Sequence, residues 1–284
     1  MIVIVDRNGQ LGNRLFTYAH FIGWALEHGA EIANPGFFEY AQYFGDNSAD
    51  PWCRFPVRPA SRGAVLSRQI VYPAIYFAAW QARKFQIRTP WLSTLNNRGD
   101  SVYPLDIHTD ELLSCKLTLV REWQYRDDAN FHKHRDAICA YFTPRSDHLR
   151  RIRESVAKAR DASDVLVGVH IRRGDYIKHC GGRYFYDHRV YRQAMEKIRG
   201  LFENRNVGFL ICSNEQVDVS LFDGLNLHLG PNHLVEDMYS FAGCDYLVGP
   251  PSTYTLWASY YGKVPLLQMH TPICEPKLED FEIH

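Results

Sequence analysis

The segment VLVGVHIRRGDY at residues 165–176 decides the fold of this chain. Its first seven residues are mainly apolar or β-branched, which is typical of a strand buried in a parallel sheet. Because side chains alternate along a strand, His170 and Arg172 are expected on one face at its carboxyl end, where open α/β sheets bind ligands. The guanidinium of Arg172 could grip a phosphate there, or it could form a structural ion pair with Asp175. This segment alone leaves both interpretations open.

Strands and helices alternate beyond this segment, which indicates a doubly wound parallel sheet in the second half of the chain. The predicted strands there are Val165–Ile171, Val207–Cys212, Leu225–Leu229, Tyr246–Gly249 and Val264–Gln268. The predicted helices are Asp187–Phe202, Val235–Ala242 and Thr253–Tyr261. Ser252 is expected to cap the last of these helices.

The first half of the chain repeats this pattern in shorter form. The predicted elements are strand Ile2–Val5, helix Arg14–His28 with Gly29 at its end, and strand Ala30–Ala33. The middle predicts helix Arg68–Lys84, strand Lys116–Tyr125 and a charged helix, His148–Arg160, that leads into a second domain. We therefore expect two domains, at residues 1–155 and 156–284.

The composition argues against several classes of protein. The 284 residues carry 32 Lys plus Arg and 32 Asp plus Glu, and the resulting zero net charge argues against a nucleic-acid partner. No apolar run is long enough to span a bilayer, and residues 1–6 read as a strand rather than a signal peptide. Seven scattered cysteines without a CxxC pair favour reduced thiols in a cytoplasmic protein. No HExxH or DxD pattern occurs, so no metal site is predicted.

A glycine loop near the N-terminus is a first candidate for anion binding. Gly9 and Gly12 lie between the first strand and its helix, where backbone N–H groups and the helix dipole attract an anion. Asn13 could take part in that binding, or it could only cap the helix. Arg14 next to it could be an ordinary surface residue.

Two further candidates lie in the second half of the chain. Ser252 and Thr253 begin a helix after a strand, which offers hydroxyls and unpaired N–H groups to a phosphate. Asp237 lies near the start of the preceding helix, where its carboxylate could accept the paired N1–H and N2–H donors of guanine or simply favour the helix dipole. Glu236 is its rival for either role.

Four short blocks of the sequence resemble the fucosyltransferases. His170-x-Arg172-Arg173-x-Asp175 is similar to a motif shared by α1,2-, α1,6- and protein O-fucosyltransferases, and residues 9–19, GQLGNRLFTYA, resemble the N-terminal signature of the bacterial α1,2-fucosyltransferases, glycosyltransferase family 11. Two more blocks resemble that family: Trp123-Gln124 with Phe131, and Asp237–Asp245 followed by Ser252–Ala258. Arg14, Pro250-Pro251 and Leu256 depart from the family pattern.

The resemblance implies an α/β fold of GT-B type, in which two Rossmann-like domains face each other across a cleft. Residues 1–155 would form the acceptor-side domain and residues 156–284 the GDP-fucose-binding domain. Arg172 would contact the β-phosphate, His170 and Asp237 would lie near the guanosine, and Ser252 and Thr253 near the phosphates. Asn13 would approach the β-phosphate and fucose from the opposite domain.

The resemblance also implies the reaction. L-Fucose would pass from GDP-fucose, with inversion and without a metal or other cofactor, to a hydroxyl of a glycan acceptor, with α1,2 transfer to galactose favoured. A lipid-linked glycan reached at a membrane surface is one form of acceptor. Asp175 could act as the general base or could hold Arg172 in place, and Asp6 is another candidate base. The alternatives are a transferase of another sugar nucleotide and a non-catalytic nucleotide- or glycan-binding relative.

Overall fold

The chain folds into two compact units, Met1–Arg145 and Ser146–His284. The structure is a computed structural model that describes residues 1–45, 50–58, 64–97, 101–273 and 275–284, with only the backbone described at 64–69. Cys274, one of the seven cysteines, therefore lies outside the described residues. The predicted boundary at 155/156 falls inside a helix, Ser146–Arg160, whereas the compact units divide before that helix begins.

The N-terminal unit is built on a five-stranded sheet. Its described strands are β1 (Ile2–Ile4), β2 (Ile32–Ala33), β3 (Arg54–Phe55), β4 (Leu92–Asn97), β5 (Tyr103–Pro104), β6 (Leu117–Glu122) and β7 (Tyr125–Arg126). Its described helices are α1 (Leu11–His28), α2 (Phe38–Ala41), α3 (Ala64–Lys84), α4 (Thr109–Leu113), α5 (Asp128–Lys133) and α6 (Arg135–Tyr141). The sheet order is β3-β2-β1-β6-β4, parallel except for β3, and β5 and β7 pair separately.

The C-terminal unit contains a fully parallel sheet. Its described helices are α7 (Ser146–Arg160), α8 (His188–Gly200), α9 (Leu234–Phe241) and α10 (Thr253–Gly262). Its described strands are β8 (Val165–Ile171), β9 (Val207–Ser213), β10 (Asn226–Leu229), β11 (Tyr246–Gly249) and β12 (Leu266–Gln268). The strand order is β10-β9-β8-β11-β12: β9 and β10 are added on one side of β8, and β11 and β12 are added on its other side. Such a switch point in the strand order opens a ligand crevice at the carboxyl ends of the strands.

Both faces of this sheet are covered, as the uninterrupted apolar run of β8 predicts. Val167, Val169 and their same-face neighbours pack against α8 through Tyr191 and Met195. Leu166 packs on the other face with Phe241 of α9. Burying one such aliphatic side chain contributes about 1.5–3 kcal/mol, so β8 anchors the unit from the centre of its sheet.

Most predicted elements of the C-terminal unit agree with the structure to within about two residues, and the predicted α/β class with two Rossmann-like units is confirmed. The start of α1 was predicted too late, at Arg14. The helix begins at Leu11, because Gln10 still has extended backbone at φ −93° and ψ −173°. Gly29 ends α1 in the left-handed region at φ 58°, as expected.

Candidate active site

A pocket of about 210 Å³ opens at the carboxyl ends of β8 and β9 in the C-terminal unit. It adjoins a second pocket of about 530 Å³, and the shared lining residues are Cys212, Ser213, Asn214, Asn232 and Asp237. His170 and Arg172 both line the smaller pocket, which confirms that they share one face of the chain at the end of β8. The volume of the second pocket is in the range of small-molecule sites.

Arg172 is fixed beside this pocket by its neighbours in the chain. Its Nε donates to Asp175 Oδ1 at 2.8 Å and its Nη2 donates to Asp175 Oδ2 at 2.7 Å. The guanidinium carbon also lies 5.5 Å from the centre of the Tyr176 ring. Asp175 and Tyr176 belong to one 3₁₀ turn, Gly174–Ile177, so the turn directly after β8 presents the guanidinium in one orientation.

The guanidinium of Arg172 determines the direction in which the pKa of Asp175 is shifted. Partial burial acts to raise the pKa of Asp175, but the hydrogen bonds and charge of Arg172 outweigh burial and hold the pKa below its usual value. A carboxylate with a lowered pKa is a weak proton acceptor. The geometry therefore fits Asp175 better as the residue that positions Arg172 than as a base.

His170 lies at the floor of the pocket as a neutral imidazole. Burial, reinforced by the charge of Arg172, lowers the pKa of His170 to about 3. Its ring stacks on Tyr254 with centroids 5.0 Å apart, and within the described structure its buried Nδ1 has no hydrogen-bond partner. Buried polar atoms are ordinarily paired, so this nitrogen indicates a position where a ligand group would complete the site.

The backbones of β8 and β11 lie close together at His170. A Cβ built on Gly249, the last residue of β11, would lie 2.9 Å from the His170 Cβ and 3.0 Å from its carbonyl oxygen. Real side chains do not tolerate such contacts without movement of one strand. Glycine at this position therefore allows β11 to pack beside the end of β8.

The two acidic candidates on α9 face different surroundings. Asp237 lines the pocket, and its Oδ1 accepts a hydrogen bond from the Asn232 backbone N–H at 2.9 Å. Burial raises the pKa of Asp237 to about 6. Glu236 instead faces α7, where its Oε1 lies 2.6 Å from both His148 Nδ1 and Arg151 Nε. Of the two rivals, Asp237 is the one placed to meet a ligand.

Among the described residues, a cluster of side chains at α7 and the start of α9 is the group that could hold a cation. One ligand atom each from His148, His233 and Glu236 lies within 4.8 Å of the others. Arg151 contacts both His148 and Glu236 there, at 3.0 and 2.6 Å. A guanidinium in that position supplies the positive charge that a metal ion would bring, so this cluster fits a structural role.

Ser252 caps α10, as predicted, by accepting a hydrogen bond from the Tyr254 N–H at 3.2 Å. In the described structure the pocket lining does not include Ser252 or Thr253, but it does include Tyr254, which follows them. Tyr254 donates to the Leu234 carbonyl at 2.7 Å, so the start of α10 is tied to the start of α9. The Pro251 carbonyl accepts from the Tyr176 hydroxyl at 2.7 Å, a bond that any residue at this position could accept.

Asn13 lies in the first turn of α1 in the N-terminal unit, and it is not the N-cap. Its side chain lies over Gly9, whose φ of 67° requires glycine. Arg14 was predicted as a possible surface residue, and this was wrong. Its side chain is 13 % exposed and forms an ion pair with Glu39. Asp6 is bound by Arg121 at 3.0 Å and by the Glu122 N–H at 2.8 Å.

Several pocket residues were missed from the sequence, namely Cys212, Ser213, Asn214, Asn232, His233, Leu234 and Tyr254. Ser213 ends β9 and Asn214 follows it at the same sheet edge as Arg172. Applying the strand-end rule to every strand would have found this pair. The loop before α9 follows the end of β10, so the same rule also points to that loop, although not to particular residues in it.

Comparison with known proteins agrees with this architecture. A family model described as glycosyl transferase family 11 matches residues 81–264, more than half of the chain. The chain belongs to glycosyltransferase family 11.

Curated relatives of this family 11 chain include two mammalian proteins named galactoside alpha-(1,2)-fucosyltransferase 1. The protein from Leontopithecus chrysomelas is 30% identical over 146 residues, covering 46% of this chain and 39% of that one. The protein from Oryctolagus cuniculus is 28% identical over 223 residues, covering 68% of this chain and 56% of that one. The chain thus spans about half the length, or less, of these relatives.

Solved structures show the same fold at low sequence identity. A mutant of Arabidopsis thaliana FUT1 in complex with GDP superposes with a TM-score of 0.60 at 12% identity, covering 99% of this chain and 73% of that one. NodZ alpha-1,6-fucosyltransferase soaked with GDP-fucose gives 0.53 at 17% identity, with 99% and 96% covered, and fucosyltransferase NodZ from Bradyrhizobium gives 0.53 at 17% identity, with 94% of each chain covered. These likenesses confirm the predicted GT-B-type fold class.

Proposed function

We propose that this family 11 chain transfers L-fucose from GDP-fucose to a hydroxyl group of a glycan, with α1,2 transfer to galactose as the expected linkage. One observation carries the proposal. His170 on β8, Arg172 directly after it and Asp237 on α9 line one pocket at the carboxyl ends of β8 and β9. The curated relatives that match this chain are named for α-(1,2)-fucosyl transfer to galactosides.

The pocket offers complementary chemistry to the two ends of GDP. Arg172 would donate hydrogen bonds to the β-phosphate, and Ser252 and Thr253 at the start of α10 would lie toward the phosphates. Asp237 as a carboxylate would accept the N1–H and N2–H donors of guanine. His170, neutral and with an unpaired Nδ1 in the described structure, would lie near the guanosine.

The proposed reaction is a single displacement with inversion at the anomeric carbon. The acceptor oxygen bonds to C1 of fucose while the bond from C1 to the β-phosphate oxygen breaks, and GDP leaves with that electron pair. Negative charge grows on the departing diphosphate, so a fixed guanidinium stabilises the transition state more than the ground state. Arg172 supplies this charge, and the proposal needs no metal ion.

The acceptor proton has to leave as the new bond forms. Asp175 is a poor candidate because its pKa is lowered and both its oxygens hold Arg172. We assign it as a positioning residue. Asp6 lies in the N-terminal unit in contact with Arg121, and it remains the alternative base in this proposal. Asn13 in the same unit would approach the fucose.

We further propose a cytoplasmic location and a glycan acceptor carried on a soluble or lipid-linked molecule. Among the described residues, no helix is both long and apolar enough to cross a bilayer. The domain roles follow the same proposal, with acceptor binding by the N-terminal unit and donor binding by the C-terminal unit.

A thermal-shift panel followed by a transfer assay tests the proposal. GDP and GDP-fucose should raise the melting temperature and UDP should not, because a ligand that binds only the native state stabilises it by mass action. Incubation with GDP-fucose and a lactose-type acceptor should then yield a fucosylated product, whose linkage is read by methylation analysis. Equal stabilisation by UDP would favour another sugar nucleotide. Donor binding without hydrolysis or transfer would favour a non-catalytic relative.

A further inference from the structure

Helix α3 of the N-terminal unit has an apolar face that no described part of the chain covers. Ala79 and Ala82 are buried, with Ala79 packed among residues of the sheet. On the opposite face Ile70, Phe77 and Trp80 are 65%, 59% and 43% exposed. Their spacing is helical, so they form one stripe along α3.

Aromatic rings and lysine amines are paired at the end of this stripe. The Phe77 and Trp80 rings lie 6.1 Å apart, and the Lys84 Nζ lies 5.2 Å from Trp80 and 5.6 Å from the ring of Phe85. Phe85 itself is 65% exposed. We call Phe77, Trp80, Lys84 and Phe85 the aromatic–lysine patch.

A second pair of the same kind follows at the start of β4. Trp91 is 64% exposed, and the Lys116 Nζ lies 3.7 Å above its ring. Large exposed apolar groups next to polar rims mark interaction surfaces in soluble proteins. The repeated pairing of ring and amine indicates a partner that is apolar and anionic at once.

The charge of this part of the chain points to an anionic partner. Residues 51–99 contain eight Arg or Lys and no Asp or Glu, although the whole chain has zero net charge. Four of these cations are paired with acids outside the segment: Arg54 with Asp50 at 3.4 Å, Arg58 with Glu31 at 2.8 Å, Arg83 with Glu122 at 3.6 Å and Arg88 with Glu111 at 3.2 Å. In the described part of the chain, neither Lys84 nor Lys116 forms an ion pair.

We propose that the aromatic–lysine patch, with the Trp91–Lys116 pair, docks on the surface of a bilayer that contains anionic lipids. Tryptophan and phenylalanine side chains settle at the boundary between headgroups and acyl chains, while lysine amines reach the phosphates. A second copy of the chain fits less well, since its face would bring like charges together. The surface does not depend on the proposed fucosyl transfer, although it would place the enzyme beside a lipid-linked acceptor.

Vesicle sedimentation of the full chain tests this surface without any donor or acceptor. Binding to vesicles of phosphatidylcholine mixed with phosphatidylserine should exceed binding to pure phosphatidylcholine by at least about tenfold, and added salt should weaken it. The double variant Lys84→Glu/Lys116→Glu should lose that difference. Phe77→Ser/Trp80→Ser should weaken binding to both vesicle types.

Matched controls lie in the C-terminal unit. Lys158→Glu and Ile283→Ser change an exposed cation and an exposed apolar residue, and both should bind as the parent chain does. Equal sedimentation of the parent chain with the two vesicle types would overturn the proposal without any variant. So would a dimer in light scattering that Phe77→Ser/Trp80→Ser abolishes while vesicle binding is absent. GDP thermal shifts on the same samples report the proposed function separately.

Discussion

Asp175 engages two donors of Arg172 at once, Nε at 2.8 Å and Nη2 at 2.7 Å, from a position three residues along the chain. The side chain of Arg172 is 13% exposed and that of Asp175 is 47% exposed. Arg172 lines the pocket, and the acid lies on the solvent side of the pair. This arrangement fixes the orientation of the guanidinium before a ligand arrives.

Replacement of Arg172 should abolish most transfer. Arg172→Ala removes the charge, and Arg172→Lys keeps it but loses the planar fork. Both should lower kcat/KM on the order of 10²–10³-fold, the usual cost of losing one preorganised donor. Initial rates with GDP-fucose measure this effect. Near-parental turnover by Arg172→Lys would contradict the assigned role.

Asp175→Asn separates a positioning residue from a general base. An asparagine side chain can accept one of the two bonds but cannot carry the charge that holds the fork, so we expect a drop in kcat on the order of tenfold. The acid limb of the kcat–pH profile should keep its midpoint, since another group takes the proton. If Asp175 were the base, that limb would disappear and the loss would approach the 10²–10⁴-fold of acid–base catalysis.

Asp237→Asn should stabilise the empty protein at neutral pH and weaken nucleotide binding. Burial raises the pKa of Asp237 to about 6, against about 3.9 for an unfolded chain. At pH values between these two pKa values, Asp237 holds a proton in the native state that it has lost in the unfolded state. The contribution of Asp237 to the free energy of unfolding therefore falls as pH rises. The variant should be more stable than the parent by on the order of 2 kcal/mol at pH above about 7, measured by urea unfolding.

The same substitution tests nucleotide recognition. An asparagine amide offers a donor where guanine also offers one, so the thermal shift produced by GDP should shrink or vanish. In the parent chain that shift should weaken as pH falls through about 6, where Asp237 becomes protonated. A GDP shift that is unchanged in the variant at all pH values would exclude Asp237 from the base contact.

Glu236→Gln is the matched control on the neighbouring residue. Its carboxylate meets His148 and Arg151, both at 2.6 Å, and it lies 3.9 Å from His233, which lines the pocket, whereas Glu236 is not in the described lining. Loss of the charge should destabilise the C-terminal unit, because His148 and Arg151 lose their charged partner. The cost should stay at about 1–3 kcal/mol, because Arg151 is partly exposed and can be hydrated. The GDP shift, measured from the lowered starting temperature, should persist. Its loss would mean that the two acids have exchanged roles.

Gly249→Ala tests the close approach beneath His170. The added Cβ would meet the His170 Cβ at 2.9 Å, and overpacking of this kind costs about 1–3 kcal/mol. Gly200→Ala is the control, because a Cβ there would have no described atom within 4 Å and helix propensity favours alanine. Urea unfolding should show the first variant destabilised and the second unchanged or slightly stabilised. Equal stability of the two variants would contradict the packing argument.

The C-terminal unit could be predicted because its central strands β8 and β9 are mainly apolar and because helices α8 and α9 are amphipathic. The predicted strand Lys116–Tyr125 is confirmed over Leu117–Glu122 and is interrupted after that for a local reason. Glu122 and Gln124 have φ values of 71° and 67°, which their residue types do not predict. These two residues divide the segment into β6 and β7.

Strand β4 was missed because its pattern is inverted. Its buried positions include Ser93 and Asn97, and Ser93 is paired across the sheet with Thr118 at 3.2 Å between hydroxyl oxygens. A polar residue whose partner lies on another strand reads as a surface residue in the sequence. The pocket could likewise be predicted only in part. The residues at the end of β8 could be predicted from the strand pattern, whereas Asn232 and His233 lie in a loop whose path no sequence periodicity determines.

The strand order β10-β9-β8-β11-β12 has a consequence for assembly of the unit. The pocket takes residues from His170 on the central strand β8, from the end of β9 on one side of it, and from Tyr254 in α10, which follows β11 on the other side. No stretch shorter than residues 170–254 contains the complete lining. Capture of a nucleotide there would join early and late parts of this stretch, so occupancy would report that residues 170–254 had reached their native topology.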